Sequence, residues 1–151
     1  MIKIICIGKI KEKFFKEAID EYLKRLSKYT KIDIIELQDI NSDNINITLE
    51  KERDLIFEKI KEKDYIITLE IEGKELSSIE LSNKINELQI NNSNITFIIG
   101  GSYGLHQDIK DKSNYKLSFS KLTFPHQLFR IMLLEQIYRS YKILNNETYH
   151  K

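Results

Sequence analysis

The sequence is poor in the residues that make disulfides and metal centres. Its 151 residues include one cysteine, Cys6, and three histidines, and no pair of these has the spacing of a metal site. A lone cysteine cannot form an internal disulfide, and Cys6 lies inside an apolar run, where we expect a buried, inert thiol. These shortages argue against metal chemistry, a disulfide-stabilised fold and a cysteine nucleophile.

Long apolar runs are also lacking. No run approaches the roughly 18 residues that a membrane-spanning helix requires, so we expect no membrane partner. The apolar start, MIKIICIGKIKEKFF, is too short and too interrupted by lysine for a signal peptide. With no linker, repeat or low-complexity tract, residues 1–151 are expected to form one cytoplasmic domain.

Neither sign of charge dominates, since 24 basic residues face 23 acidic ones and the net charge is +1. The charges are unevenly placed: residues 1–31 carry 9 basic and 4 acidic side chains, and residues 121–151 carry 5 and 2. If the two ends meet in the fold, they form a basic face that can guide a polyanion. Ordinary solvated helix faces would give the same counts, so both interpretations stay open.

Short apolar segments alternate with segments of helical periodicity. Strands are predicted over 2–8, 31–37, 65–71, 94–101 and 115–119, the third closed by a Gly73-Lys74 turn. Helices are predicted over 12–29, 49–63, 106–112 and 125–144, with a further one opened by Ser77 or Ser78 and a loop over 38–48. This alternation indicates an α/β fold with a mainly parallel sheet flanked by helices.

The last predicted helix has no wide polar stripe. Its apolar positions surround the helix: Leu128, Phe129, Ile131, Met132, Leu133, Leu134, Ile137, Tyr138, Tyr141, Ile143 and Leu144. Such a helix must be buried on more than one side. A second copy of the chain would supply the extra face, so we expect a homodimer; a central helix in a monomer is the alternative.

A glycine-rich turn follows the fourth predicted strand, in TFIIGGSYGL. Its G-G-x-x-G spacing matches neither the dinucleotide nor the P-loop fingerprint, and the serine-hydrolase elbow G-x-S-x-G is missing. A tight turn after a core strand is one interpretation. The other is a ligand site, because this turn, the Gly73 turn and residues 118–124 all follow strands, and ligands bind beyond the carboxyl ends of parallel strands. Backbone groups there suit a nucleoside edge and a cationic sulfonium.

The carboxyl terminus, LLEQIYRSYKILNNETYHK, combines aromatic and basic side chains. Arg139, Tyr149 and His150 could stack on a base and contact phosphates. A frayed end without function is the alternative.

The segments FIIGGSYGL, LSFSKLTFPHQLFRIMLLEQIYRSYKI and the closing YHK resemble the RlmH family over essentially the whole chain. These are SPOUT-class methyltransferases that act on a pseudouridine of large-subunit ribosomal RNA. The resemblance implies an α/β fold with a carboxyl-terminal trefoil knot, S-adenosylmethionine as methyl donor and transfer to N3 of pseudouridine in 23S rRNA. The implied cofactor-binding residues are Leu69, Gly100, Phe119, Ser120, Lys121, Leu122, Thr123 and Phe124.

The resemblance also implies roles in catalysis and recognition. His126, Tyr149 and His150 are the candidates to accept the N3 proton or orient the base, and Arg130 and Arg139 are expected to contact phosphate or the target base. The resemblance implies a homodimer with active sites near its interface. Because the 38–48 loop lacks basic residues and no separate RNA-binding domain is expected, RNA recognition should depend on the dimer surface and on the assembled ribosome. One alternative is a non-catalytic dimeric nucleotide-binding or regulatory module. Another is a flavodoxin-like electron carrier, but the sequence lacks the Ser/Thr-rich phosphate-binding turn that such a carrier has after its first strand.

Overall fold

A five-stranded parallel sheet lies at the centre of the computed structural model, which describes residues 1–151. The strand order is β2-β1-β4-β3-β5. The strands are β1 Ile2–Ile7, β2 Ile32–Leu37, β3 Asp64–Glu75, β4 Asn94–Ile99 and β5 Tyr115–Ser118. The predicted α/β class with a parallel sheet is confirmed.

Five helices cover both faces of the sheet, so the fold has three layers. They are α1 Lys13–Leu26, α2 Ile45–Phe57, α3 Ser78–Asn91, α4 Gln107–Lys112 and α5 His126–Leu144. The larger core contains side chains of α1, α3 and α5, and the smaller core contains side chains of α2 and α4. None of the helices has the length and apolar character needed to cross a membrane.

Strand β1 is buried along its whole length because it lies between β2 and β4 and is covered on both faces. Its side chains alternate, with Ile4 and Cys6 in the larger core and Ile5 and Ile7 in the smaller one. Burial raises the pKa of the Cys6 thiol to about 12. The prediction of a buried thiol is therefore confirmed, and a thiol with so high a pKa is a poor nucleophile.

Helix α2 begins four residues earlier than predicted, at Ile45. The Asn44 side chain caps it by accepting hydrogen bonds from the amides of Asn46 and Ile47. Asparagine is a good N-cap residue, but the polar sequence around it has the composition of a loop. The predicted 38–48 loop is therefore too long.

The end of β3 differs most from the sequence prediction. Instead of turning at Gly73-Lys74, the strand continues to Glu75, and Leu117 of β5 pairs with both Leu69 and Lys74 across a shift in register. Residues 70–73 thus bend around the β5 backbone. A Cβ atom at Gly73 would lie only 2.8 Å from the carbonyl carbon of Lys116, so glycine is required for this close approach and not for a turn.

Helix α5 lies between α1 and α3 against the sheet. Leu133, Leu134 and Ile137 on this side are fully buried. On another side Leu128 is 37% exposed, and Ile131 and Met132 are only partly covered. Contacts within one chain therefore account for part of the apolar surface of α5, and the homodimer stays a prediction.

We expect Gly73→Ala to lower the free energy of unfolding by about 1–3 kcal/mol, the usual cost of forcing a methyl group into a packed site. Backbone atoms of Lys116 and Leu117 surround that site, and a strand backbone cannot rotate away as a side chain can. Urea unfolding followed by circular dichroism measures the effect. Lys74→Ala, at the exposed neighbouring position, is the control; equal stability of the two variants would contradict the close approach.

Candidate active site

Three parts of the chain meet in one cavity of about 400 Å³ at the carboxyl edge of the sheet. The lining residues come from the start of the bend within β3 (69–71), from the end of β4 with its following turn (99–102 and 104), and from β5 with its following loop (117–120 and 122–124). Residues 125, 126 and 129 of the α5 start complete it. The structure therefore brings together two of the three segments expected from the sequence, the glycine turn after β4 and residues 118–124; in place of the Gly73 turn, residues 69–71 of β3 line the cavity.

Seven of the eight expected cofactor-binding residues line this cavity: Leu69, Gly100, Phe119, Ser120, Leu122, Thr123 and Phe124. The exception is Lys121, which is exposed and does not contribute to the lining. The wall beside α5 is aromatic, since the rings of Phe119 and Phe124 lie 4.8 and 6.3 Å from that of Phe129. An apolar cavity with polar backbone groups at its edges suits a nucleoside.

The hydroxyl groups of the loop after β5 shape the loop itself. Ser118 donates a hydrogen bond to the carbonyl oxygen of Ser120, and the amide of Leu122 donates to the hydroxyl oxygen of Ser120. These bonds fold the loop back over the cavity, which leaves the Leu122 side chain 70% exposed at its mouth.

His126 is the one expected catalytic residue that lines the cavity. It lies at the first position of α5 and faces the end of β1, where a Cβ atom at Gly8 would be 3.5 Å from its Nε2 atom.

The other expected catalytic residues form a separate cluster, which we call the tail cluster: Glu135, Arg139, Tyr149 and His150. The Arg139 guanidinium donates to Glu135 at 2.7 Å and lies 4.7 Å from the centre of the Tyr149 ring. Its Nη1 is 3.2 Å from Nδ1 of His150. The chain end is therefore ordered against α5, and the alternative of a frayed end is wrong.

Tyr149 is held as a neutral phenol. Its hydroxyl donates to Glu135 at 2.9 Å, and burial together with this carboxylate raises its pKa to about 12. A phenol with such a pKa donates hydrogen bonds and does not accept a proton near neutral pH.

Arg130 does not face solvent, contrary to the expectation that it contacts phosphate or the target base. It is 1% exposed. Its guanidinium donates to the carbonyl oxygens of Ile7 and Gly8, at 3.1 and 2.8 Å, and to Glu36 at 2.7 Å. Arg130 is thus a structural residue that joins α5 to the ends of β1 and β2; its flanking apolar residues in LFRIM are the sequence signal for burial.

A second cavity, of about 420 Å³ and largely polar, lies on the other side of the glycine turn. We call it the polar cavity. Its lining residues are Asp39, Ile40, Asn41, Ser42, Asp43, Thr48, Glu52, Ser102 and Tyr103. No group of three or more His, Cys, Asp or Glu side chains in the structure is arranged to hold a metal ion. Glu52 was not among the residues expected from the sequence, although its spacing with the buried Thr48 and Ile56 places it on the inner face of α2.

Comparison with known proteins assigns the chain to a family. The family model described as "Predicted SPOUT methyltransferase" matches residues 1–150. The chain belongs to the SPOUT methyltransferase family. Proteins named ribosomal RNA large subunit methyltransferase H, from Clostridium tetani and Clostridium botulinum, are each 55% identical over 157 aligned residues, which cover 99% of both chains. The resemblance to the RlmH family is therefore confirmed.

A solved structure supports the fold of this methyltransferase. A probable methylase family protein from Haemophilus influenzae aligns with a TM-score of 0.61 at 10% sequence identity, over 99% of this chain and 70% of the other. At so low an identity the similarity establishes the fold alone.

We expect Arg130→Met to lower the free energy of unfolding by about 3 kcal/mol, as when one partner of a buried ion pair is removed. The methionine fills a similar volume but leaves the carbonyls of Ile7 and Gly8 without their donor. Chemical unfolding of the purified variant measures the loss. Arg25→Met, which removes an exposed ion pair with Glu21, is the control and is expected to cost less than about 1 kcal/mol. A cost for Arg130→Met no greater than that of the control would show that its contacts are dispensable.

Proposed function

We propose that this methyltransferase transfers a methyl group from S-adenosylmethionine to N3 of a pseudouridine in 23S rRNA, on the assembled ribosome. The observation that carries the proposal is the cavity lined by β3, by the glycine turn after β4 and by β5 with its following loop. The printed names of the 55%-identical relatives support ribosomal RNA as the substrate. A ribosomal substrate in turn places the enzyme in the cytoplasm.

The cavity has the chemistry that S-adenosylmethionine requires. Its apolar and aromatic walls, including Leu69 and Phe124, suit the adenine ring, and the backbone groups around Gly100 and Ser120 suit the polar edges of a nucleoside. We infer that Leu69, Gly100, Phe119, Ser120, Leu122, Thr123 and Phe124 hold the cofactor. Lys121 is exposed and does not line the cavity, so we propose that it contacts solvent or RNA.

The reaction needs a donor, an acceptor and a route for one proton. When bound, S-adenosylmethionine supplies a methyl group on a sulfonium; attack by N3 forms the N–C bond, breaks the C–S bond and leaves S-adenosylhomocysteine. The N3–H proton leaves to a base or to water. Because the methyl donor is already reactive, the protein contributes chiefly by holding the two reactants in line.

His126 and the tail cluster are the candidates for accepting the proton and for contacting the base or phosphate. His126 lines the cavity and can accept the proton or orient the base. Of the tail pair, His150 suits a base better than Tyr149, whose phenol already donates to Glu135. Arg139, held by Glu135, is placed to contact the phosphate or the target base.

A homodimer would bring these groups together. In one chain none of Arg139, Tyr149 and His150 lines the cavity, which supports the proposal that the tail cluster acts at the cavity of another copy. The exposed apolar side chains of Ile71, Leu122 and Leu128 offer a surface for that copy beside the cavity mouth. We also propose that the carboxyl-terminal part is knotted, as in the family it resembles; the close passage of β5 inside the bend of β3 is in keeping with this.

We expect large ribosomal subunits or ribosomes from a strain lacking this gene to gain one methyl group on one pseudouridine when incubated with the purified enzyme and S-adenosylmethionine. Mass spectrometry of nuclease fragments locates the group. Ribosomes from the parent strain, already methylated, are the control. If calorimetry shows cofactor binding but no RNA gains mass, the non-catalytic binding module is the better description.

We expect a mixed dimer to regain activity when one subunit carries Thr123→Arg and the other carries His150→Ala. Thr123→Arg obstructs the cavity of its own chain, and His150→Ala disables the tail, so each homodimer should be inactive. In the mixed dimer, one cavity is intact and faces an intact tail from its partner. Differently tagged subunits, co-purified and assayed on ribosomes, measure this. A mixed dimer as inactive as its parents would mean that the tail acts within its own chain.

A further inference from the structure

We call the cavity of about 400 Å³, where S-adenosylmethionine is proposed to bind, the cofactor cavity. The wall between it and the polar cavity is made of residues that have little or no side chain. Ser102 lines both cavities. Gly101 lines the cofactor cavity, and a Cβ atom on it would lie 3.5 Å from Oε2 of Glu52 on the other side. At Gly8, a Cβ atom would lie 3.5 Å from His126 Nε2 and 3.9 Å from Asp39 Oδ2. Molecules in the two cavities can therefore approach each other closely, as a group transfer requires.

The polar cavity contains buried polar groups without adequate partners. Thr48 is 2% exposed, and its Oγ1 atom has no hydrogen-bond partner. Glu52 is 4% exposed and forms no salt bridge; burial and the nearby Asp39 carboxylate raise its pKa, and only the Ile40 amide opposes them. The buried Glu52 carboxylate has the Ile40 amide as its one donor and no cationic partner, so a ligand that brings further N–H donors would stabilise it.

The chemistry of the polar cavity restricts the ligand. Its acidic side chains, Asp39, Asp43 and Glu52, repel phosphate, and the structure arranges no metal-binding group there. A neutral ring that carries N–H donors and carbonyl acceptors satisfies both Glu52 and Thr48. A nucleobase of the uracil type has these groups.

We propose that the polar cavity receives the target base, and that the Glu52 carboxylate accepts a hydrogen bond from N1–H of pseudouridine. This inference rests on the proposed function. In pseudouridine the ribose is attached to a ring carbon, so N1 carries a hydrogen; in uridine N1 bears the ribose and has no hydrogen to donate. Glu52 is therefore a specificity-determining residue, since a site built to bind an N–H rejects the analogue that lacks it.

The test compares ribosomes that carry pseudouridine at the target position with ribosomes that carry uridine there, obtained from a strain without the corresponding pseudouridine synthase. The wild-type enzyme should prefer pseudouridine by about 10- to 100-fold in kcat/KM, the range for a hydrogen bond to a charged group. Glu52→Gln keeps the size of the side chain but replaces the charged acceptor with a neutral one. It should lower kcat/KM on pseudouridine about 5- to 10-fold and leave uridine unchanged.

Two further readouts separate recognition from structure. The cofactor Kd of Glu52→Gln, measured by calorimetry, should stay that of the wild type, and its melting temperature should not fall, because glutamine carries no charge that burial would penalise. Glu50→Gln, the same change at an exposed position of α2, should leave both substrates unaffected. Together these results would support base recognition by Glu52.

Several results would overturn the inference. An equal loss on both substrates, or a fall in melting temperature, would make Glu52 a structural residue. A wild-type enzyme that methylates uridine and pseudouridine equally well would refute the role of N1–H and leave the proposed function intact. A wild-type enzyme that methylates neither would refute the proposed function and this inference with it.

Discussion

The buried guanidinium of Arg130 is the contact on which the geometry of the site depends. It joins α5 to the carbonyl of Ile7 at the end of β1, to that of Gly8 just after it, and to Glu36 near the end of β2, so one side chain links three elements. His126 lies one helical turn earlier on the same face of α5. Holding Arg130 in place therefore also holds the imidazole at the end of β1.

Two neighbouring cavities at the carboxyl edge of the sheet differ in chemical character, one being largely apolar and the other polar and acidic. Beyond β3, β4 and β5 the surroundings are apolar and rich in backbone groups, which suits a nucleoside with a sulfonium. Beside α2 the surroundings are acidic and contain one unsatisfied buried hydroxyl, that of Thr48. The glycine turn after β4 contributes to both, and its lack of side chains keeps the two cavities within reach of each other. A methyltransferase needs such an arrangement because its two substrates must meet at one atom.

Local sequence patterns predicted most of the strands and helices. The features that they did not predict, at Gly73 and Arg130, depend on contacts with distant parts of the chain. The alternation of β1 between two cores follows from its apolar sequence, and Ser77 caps α3 together with Glu80, as its position suggested. Gly73 has the composition of a turn, and only the adjacent β5 backbone keeps it extended. Arg130 is buried because its partners lie at the ends of β1 and β2. For the loop after β5, family resemblance singled out residues 119–124 as expected cofactor contacts, but the exposed position of Lys121 could be recognised only from the folded chain.

The strand order has a consequence for how the chain is made. The central strand β4 pairs with β1, and the amino group of Met1 donates to the carbonyl of Ser93, so the sheet joins parts of the chain 92 residues apart. Such distant pairing closes a long loop and slows folding. During synthesis β1 can pair with β2 alone until β4, Asn94–Ile99, has emerged. A nascent chain arrested before β4 thus exposes the most apolar strand of the protein, and chaperones would meet it in that state.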